Sequence, residues 1–461
     1  MAGPKVTIAG AGCAGLAAGI ALQRRGYDVT ILERAERAGG LAGGIQIHGN
    51  TYEYGPHIFH TTDPEIRADV ERIAGHVLIP FEKTIKIKFL GQYFAFPLVV
   101  RDVIFKLPAP VVMRAAFSLI RHAVAGAIEG EAGLTNSEKV LQRYYGDVLY
   151  KIFFKDYITK VWGIEPAHLS PSFARQRVPR LDPLDVIHKL RRRLFPPRSK
   201  PVGTEGYVEK VEGVHYTTAT GFCAIVEAFV DEFKKSGGLL ILNAPVKAIQ
   251  MEKGRVDSVI YETGTGPVTA QTAHHISTVP ISLLPAMMTP KPPQHVLDAA
   301  AALRFRGTLF VGLLVKKSPV LPASFMYFRD KSFNRITDLG QFKVKIEPEG
   351  CTILIAEVMA QPEDPEWKNE EVTAARVKRE LTAEGLLTES DVLETHVFKT
   401  EFAYPVYSLD YEAALATVLG EVSKHENLHT IGRQGRFAYI NTHIAFKMGY
   451  DVARKIDDVR V

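Results

Sequence analysis

Three observations in the sequence predict an α/β fold with a parallel-sheet domain, a helical domain and an antiparallel-sheet domain. First, a short apolar strand, a glycine-rich turn, a helix and a second strand follow one another within the first 33 residues. Second, from about 65 to 200 the pattern becomes helical and rich in Arg, Lys and aromatics. Third, apolar strand-like runs return in the second half of the chain, suggesting an antiparallel sheet.

In order, residues 5–9, "KVTIA", read as a strand, and Gly15 to Arg25 as a helix with small residues on one side. "DVTILE" is a second strand, which completes a βαβ unit. The most apolar region, "PAPVVMRAAFSLIRHAVAGAI", contains Arg114, Arg121 and His122. It reads as an amphipathic core or lid helix, with membrane-surface contact as the lesser alternative. "HKLRRRLFPPRSKPVG" reads as a solvated helix end entering a Pro-containing loop. "GFCAIVEAFVDEFKKSGGLLILNAPVKAIQM" reads helix, Gly turn, strand, strand, and "AHHISTVP" is a buried strand stopped by Pro280. "GTLFVGLLVKK", "SFMYFRD" and "CTILIAEVMA" supply the antiparallel sheet. "NLHTIGRQGRFAYINTHIAFKMGYDVARKI" closes the chain as strand, Gly-bearing loop and helix.

At 461 residues, with 46% hydrophobic and 23% charged content, the composition is that of a soluble globular protein. A formal charge of +5, from 56 Lys+Arg against 51 Asp+Glu, is too small an excess to argue for nucleic acid but permits local phosphate pockets. Cys13, Cys223 and Cys351 are far apart without metal-ligand spacing, which favours a reducing cytoplasm. No secretory signal and no membrane-spanning run is expected, since a span needs about 20 apolar residues.

Gly10, Gly12 and Gly15 form G-x-G-x-x-G directly after a strand and at the opening of a helix. The first glycine allows the tight turn and the second lets backbone approach a pyrophosphate. The third lets helix and strand touch, while the helix N-terminus favours phosphate charge. Glu33, ending the second strand, is placed to accept ribose hydroxyls. The expected dinucleotide-binding domain is Rossmann-type and discontinuous, over 1–65, 201–285 and 421–461. It is interrupted by a mainly helical substrate or lid domain (66–200) and an antiparallel-sheet substrate domain (286–420).

"ERAERAGG" resembles the extended FAD fingerprint of amine-oxidase and protoporphyrinogen-oxidase-like flavoproteins, and "HTIGRQGR" resembles their second FAD segment. That resemblance implies FAD in a GR2-like domain. It carries over Ala14, Arg34, Gly39, Gly40, Leu41, His57, Val246, Arg433 and Tyr439 as cofactor contacts, with Val246 at the adenine and Arg433 at the pyrophosphate or flavin.

Read alone, His57 and His60 in "YEYGPHIFHT" fit structural histidines, and a metal pair lacks a third ligand nearby. No metal is expected. The segment resembles one that UDP-galactopyranose mutases place beside the isoalloxazine, which implies that at least one of these histidines faces the flavin. "YITKVWG" resembles the mutase nucleotide pocket and implies Tyr157 as a base-stacking residue with Trp162 beside it. "RQRVPR" and "SFNRITD" resemble the segments that supply diphosphate-clamping arginines, here Arg177 and Arg335. "FAYPVYSLDYE" and "RFAYINTH" supply Tyr404 and Tyr439, and His443 falls at a matching histidine whose role is not evident. Core packing for the aromatics and ion pairs for the arginines are the alternatives.

The resemblance implies a flavin-dependent mutase or isomerase of a nucleoside-diphosphate sugar. In such enzymes N5 of reduced FAD (FADH2) is the nucleophile at the anomeric carbon. His57, His60, Arg177 and Arg335 would be the catalytic set. The expected partner is a small nucleotide-sugar substrate; no nucleic-acid partner is expected, and a homodimer is an open option. The middle of the chain, from "TATGFCAIVEAF" to "STVP", reads more like the oxidase and desaturase branch. An FAD oxidase, dehydrogenase or desaturase is therefore the alternative.

Overall fold

The computed structural model describes residues 3–178 and 214–458. Its parallel sheet runs in the order Leu428–Thr430, His274–Ser277, Lys5–Ala9, Asp28–Leu32, Leu239–Ile241, and every neighbouring pair is parallel. Strands from the start, middle and end of the chain thus share one sheet. Val6 and Ile8 on one face and Thr7 and Ala9 on the other are all buried, as expected of a sheet covered on both faces. Helix Cys13–Gln23 packs on it, and helices Cys223–Lys235 and Thr442–Asp458 pack on that helix. Its sequence, "CAGLAAGIALQ", is buried from Cys13 to Leu22, and its small residues admit close neighbours. A Cβ added to Gly449 would lie 2.4 Å from the Ala14 carbonyl oxygen, so the last helix rests directly on the first.

The second sheet has seven strands, ordered Val392–Pro405, Phe305–Val315, Thr352–Met359, Arg335–Asp338, Phe325–Phe328, Ile85–Phe89, Gln92–Ala95. All neighbours are antiparallel except Phe325–Phe328 with Ile85–Phe89, which run parallel. The hairpin Ile85–Ala95 comes from the stretch read as helical. Its "IKIKF" alternates with period two and ends at Leu90–Gly91, a strand-and-turn pattern that the surrounding helical signal masked. Alternation also sorts the two faces. Leu309, Val311, Leu313, Leu354, Ala356 and Val358 pack with Ala374, Val377 and Leu381 of helix Glu370–Ala383. Phe310, Leu314, Ile353 and Ile355 face Tyr52 and Phe81 on the other side. A third sheet joins Val246–Glu252, Arg255–Thr263 and Gly266–Gln271 with Met288–Thr289.

The helical part includes Ala109–Glu129, Ser137–Leu149, Asp156–Trp162 and Pro171–Arg177. Helix Ala109–Glu129 buries Ala115 and Ser118 toward Ser137–Leu149 but exposes Met113, Phe117, Ile120, Val124 and Ile128. It is therefore a surface helix, and of the core-or-lid reading the core option does not hold. Among the described residues no helix is long and apolar enough to cross a membrane. The solvated helix end and loop expected in "HKLRRRLFPPRSKPVG" lie outside the described residues.

Candidate functional site

Strand Lys5–Ala9 delivers Gly10, Gly12 and Gly15 to the opening of helix Cys13–Gln23, with Gly12 as the N-cap. Gly10 holds φ +105°, and an added Cβ would sit 2.1 Å from Thr278 Oγ1. A Cβ on Gly15 would lie 2.0 Å from the Gly10 carbonyl oxygen, so helix and strand can touch only without one. Gly12 differs: the nearest atom to an added Cβ is the Gly39 carbonyl oxygen, 3.9 Å away. Protein contacts demand two of the glycines, and the third leaves space over a helix N-terminus. That arrangement fits a dinucleotide pyrophosphate.

Glu33, only 7% exposed, accepts from the Ala11 N–H at 2.7 Å and the Ala35 N–H at 3.0 Å. Its carboxylate thus spans the glycine turn and the next one, on the side where a ribose would lie. The Gly39 N–H donates to the Ala11 carbonyl, which lays Gly39, Gly40 and Leu41 beside the same turn. Arg34 is exposed nearby in sequence. The N–H groups of Asn243 and Ala244 donate to the carbonyls of Ala35 and Glu33, and this brings the segment opening at Val246 to the same end. From the C-terminal part, a Cβ on Gly432 would meet the Ala14 Cβ at 3.2 Å.

The "YEYGPH" segment leaves strand Asn50–Glu53 and crosses onto the seven-stranded sheet. There Arg335 and Glu357 are register partners on adjacent strands. Arg335 donates from Nε to Glu357 Oε1 at 2.7 Å and from Nη2 to Oε2 at 2.9 Å. A Cβ on Gly55 would lie 2.8 Å from Glu357 Oε1 and 3.2 Å from Arg335 Nη2, so the loop rests on this ion pair. His57 follows, with Nδ1 3.1 Å from the Gly55 carbonyl and 3.7 Å from Glu53 Oε2. Glu53 is buried and accepts from the Phe222 N–H at 2.6 Å.

Around Arg335 the remaining residues converge. Its Nη2 reaches the Tyr404 hydroxyl at 3.4 Å. The Tyr404 and Tyr439 rings stack at 5.2 Å, and Trp162 lies edge-on to Tyr404 at 6.2 Å. The Arg177 guanidinium covers the Tyr439 ring at 3.1 Å, and Arg433 lies 4.1 Å from the same ring. Arg433 also donates to the Ala403 and Ile440 carbonyls, so it braces the backbone beside both tyrosines. Tyr157 lies edge-on to Tyr327, whose ring is 5.9 Å from Arg335. Burial, then Glu357 and Tyr439, push the Tyr404 phenol well above its ordinary range, so it stays protonated and can donate. Lys160 donates to the carbonyls of Phe328, Arg329, Lys331 and Phe333, fixing the loop that precedes Arg335.

His60 turns elsewhere. It is 5% exposed, with ring centroids of His443 at 5.0 Å and His215 at 5.3 Å. Burial, then His443, Lys83 and His215, push its pKa down to about 3, so it is neutral at pH 7. A neutral imidazole can donate or accept a hydrogen bond.

Residues 8–73 match an NAD(P)-binding Rossmann-like domain, and 202–456, more than half the chain, match the flavin-containing amine oxidoreductase family. The chain belongs to that family. Within this flavoprotein family, the similarity lies with the UDP-galactopyranose mutase-like branch. A probable UDP-galactopyranose mutase of Klebsiella pneumoniae is 31% identical over 177 residues, 37% of this chain and 44% of that one. A dTDP-fucopyranose mutase of Escherichia coli is 26% identical over 185 residues, 38% and 46% of the two chains. The chain thus spans less than half the length of these relatives. The crystal structure of a reduced UDP-galactopyranose mutase superposes with a TM-score of 0.81 at 21% identity, covering 100% of this chain and 95% of the other. At that identity the likeness is one of fold.

The sequence reading missed Glu53, His215, Lys160 and Glu357. Glu357 alone left a signal, a carboxylate inside the otherwise apolar strand "TILIAEVM".

Proposed function

We propose that this flavoprotein is an FAD-dependent mutase or isomerase of a nucleoside-diphosphate sugar. The observation that carries the reading is the cluster of Arg177, Arg335, Tyr404 and Tyr439 against the loop that bears His57. Guanidiniums present planar paired donors that match phosphate oxygens, so two of them suit a diphosphate. Glu357 holds Arg335 from one edge, which fixes the direction of its remaining donors. The protonated Tyr404 phenol, which donates to Glu357 Oε2 at 3.5 Å, can turn that hydrogen to a ligand on the same side. Tyr157 and Trp162 offer faces on which a base can stack, a contact worth about 1–3 kcal/mol.

When bound, reduced flavin supplies the nucleophile, N5, for the anomeric carbon. The chain's own residues then orient the sugar nucleotide and neutralise the departing diphosphate, which explains a site that, among the described residues, is built of arginines and aromatics and not of a Ser-His-Asp apparatus. The names of the Klebsiella and Escherichia relatives support the same chemistry. An amine or polyene oxidoreductase is the second reading, favoured by the family match over 202–456.

A titration separates them. UDP added to the purified yellow protein is expected to perturb flavin absorbance or fluorescence. Arg177→Ala and Arg335→Ala, each with flavin content checked, are expected to abolish that response. A response that survives in both variants, or none in the parent protein, rejects the sugar-nucleotide site.

A further inference from the structure

We propose that His48, Glu394 and His396 form a site for a divalent transition-metal ion, with zinc the best-fitting ion. His48 sits at the turn between strands Gly44–Ile47 and Asn50–Glu53, at φ +48°. Glu394 and His396 lie two apart on strand Val392–Pro405, so both point to one face. That face also carries Phe398, stacked on Phe310 and touching Tyr54. The strand therefore presents a carboxylate and an imidazole to the same hairpin that offers His48.

The ligand geometry is tight. His48 Nδ1 lies 3.1 Å and His396 Nε2 2.8 Å from the same carboxylate oxygen, Glu394 Oε2. One ligand atom from each of the three residues falls within 4.8 Å of the others. A tetrahedral ion with bonds of about 2.0–2.1 Å holds its ligand atoms roughly 3.3 Å apart, so small side-chain adjustments suffice. Two imidazoles and one carboxylate form a ligand set that zinc commonly uses with water in fourth place. His48 is 72% exposed, which gives the ion a route in. Behind His396, Tyr52 is fully buried with its ring edge-on at 5.1 Å, and its hydroxyl has no hydrogen-bond partner. The wall thus holds a further unsatisfied polar atom beside the ligands.

An ion here would tie the hairpin that leads into Gly55 and His57 to the strand that ends at Tyr404–Pro405. It would act as a clip between two elements of the candidate site, not as a reagent within it. Nothing in this inference depends on the sugar-nucleotide reading.

The test uses the purified full-length protein, stripped with chelator, dialysed and titrated calorimetrically with zinc sulfate, with bound metal counted by mass spectrometry. One zinc per chain and a raised thermal midpoint are expected. His48→Gln, Glu394→Gln and His396→Gln should each weaken binding by at least the ~10–100-fold typical of losing even an outer-shell partner. His76→Gln, at an exposed histidine elsewhere, should bind as the parent does. Flavin content equal to the parent's shows that each variant is folded. Absence of stoichiometric zinc in the parent, or undiminished binding in a His48→Gln/His396→Gln double variant, overturns the site.

Discussion

Removing the Glu357 carboxylate tests how the central cation of the site is held. The Glu357 side chain is 0% and that of Arg335 14% exposed, with two charge-assisted hydrogen bonds between them. Solvent screening therefore discounts the pair very little. Glu357→Gln keeps the shape but leaves a buried guanidinium without its counter-charge, and breaking such a pair from one side costs about 3–5 kcal/mol. Replacing both partners, Arg335→Met with Glu357→Leu, removes the charges and their desolvation cost together and should recover most of that loss. Urea unfolding of the parent, Arg335→Met, Glu357→Leu and the double gives the coupling energy, read from midpoints at constant slope. The expected result is large, strongly non-additive losses in the singles. Losses below about 1 kcal/mol that simply add would mean an interaction no stronger than an exposed surface pair and would refute the reasoning.

Gly15→Ala forces a methyl to within 2.0 Å of the Gly10 carbonyl oxygen, and the purified protein should lose most of its bound flavin, measured from the visible spectrum of the released cofactor. Tyr404→Phe deletes one donor to a charged ligand, so UDP binding should weaken by about 1.5–3 kcal/mol, read by flavin fluorescence. Stability should also fall in acid. His60, His215 and His443 are all held below the ordinary imidazole value, chiefly by burial, His60 at about 3. His60 is neutral in the folded protein down to about pH 3, whereas the unfolded chain takes up that proton below about pH 6.5. Its contribution is thus intact above that pH and is lost toward pH 3 by about 1.36 kcal/mol per pH unit, and the lowered values of His215 and His443 act with the same sign. His60→Asn should flatten the midpoint-versus-pH curve in that window; an unchanged slope would mean that His60 is not buried neutral.

Local signals were legible in the sequence, and long-range pairings were not. The glycine turn and Glu33 could be read because strand, turn and helix follow each other within a few residues. Arg177, Arg335, Tyr157, Trp162, Tyr404 and Tyr439 could be named through resemblance, but their adjacency depends on how two helices, two strands and a loop meet. Glu357 acquires its meaning only from the strand register opposite Arg335. The packing of His60 against His215, 155 positions away, could not be seen in the sequence. His48 and His396 are separated by most of the chain and meet only because a hairpin folds onto the sheet.

Isomerisation without net oxidation separates a mutase from an oxidoreductase. Under anaerobic conditions, dithionite-reduced protein should be incubated with a panel of nucleoside-diphosphate sugars, and the products followed by chromatography and NMR. The account predicts a ring-size isomer of at least one sugar nucleotide, formed over many turnovers while the flavin remains reduced. No isomer from any member of the panel, together with flavin reduction by an amine or polyene in the oxidised protein, would contradict it.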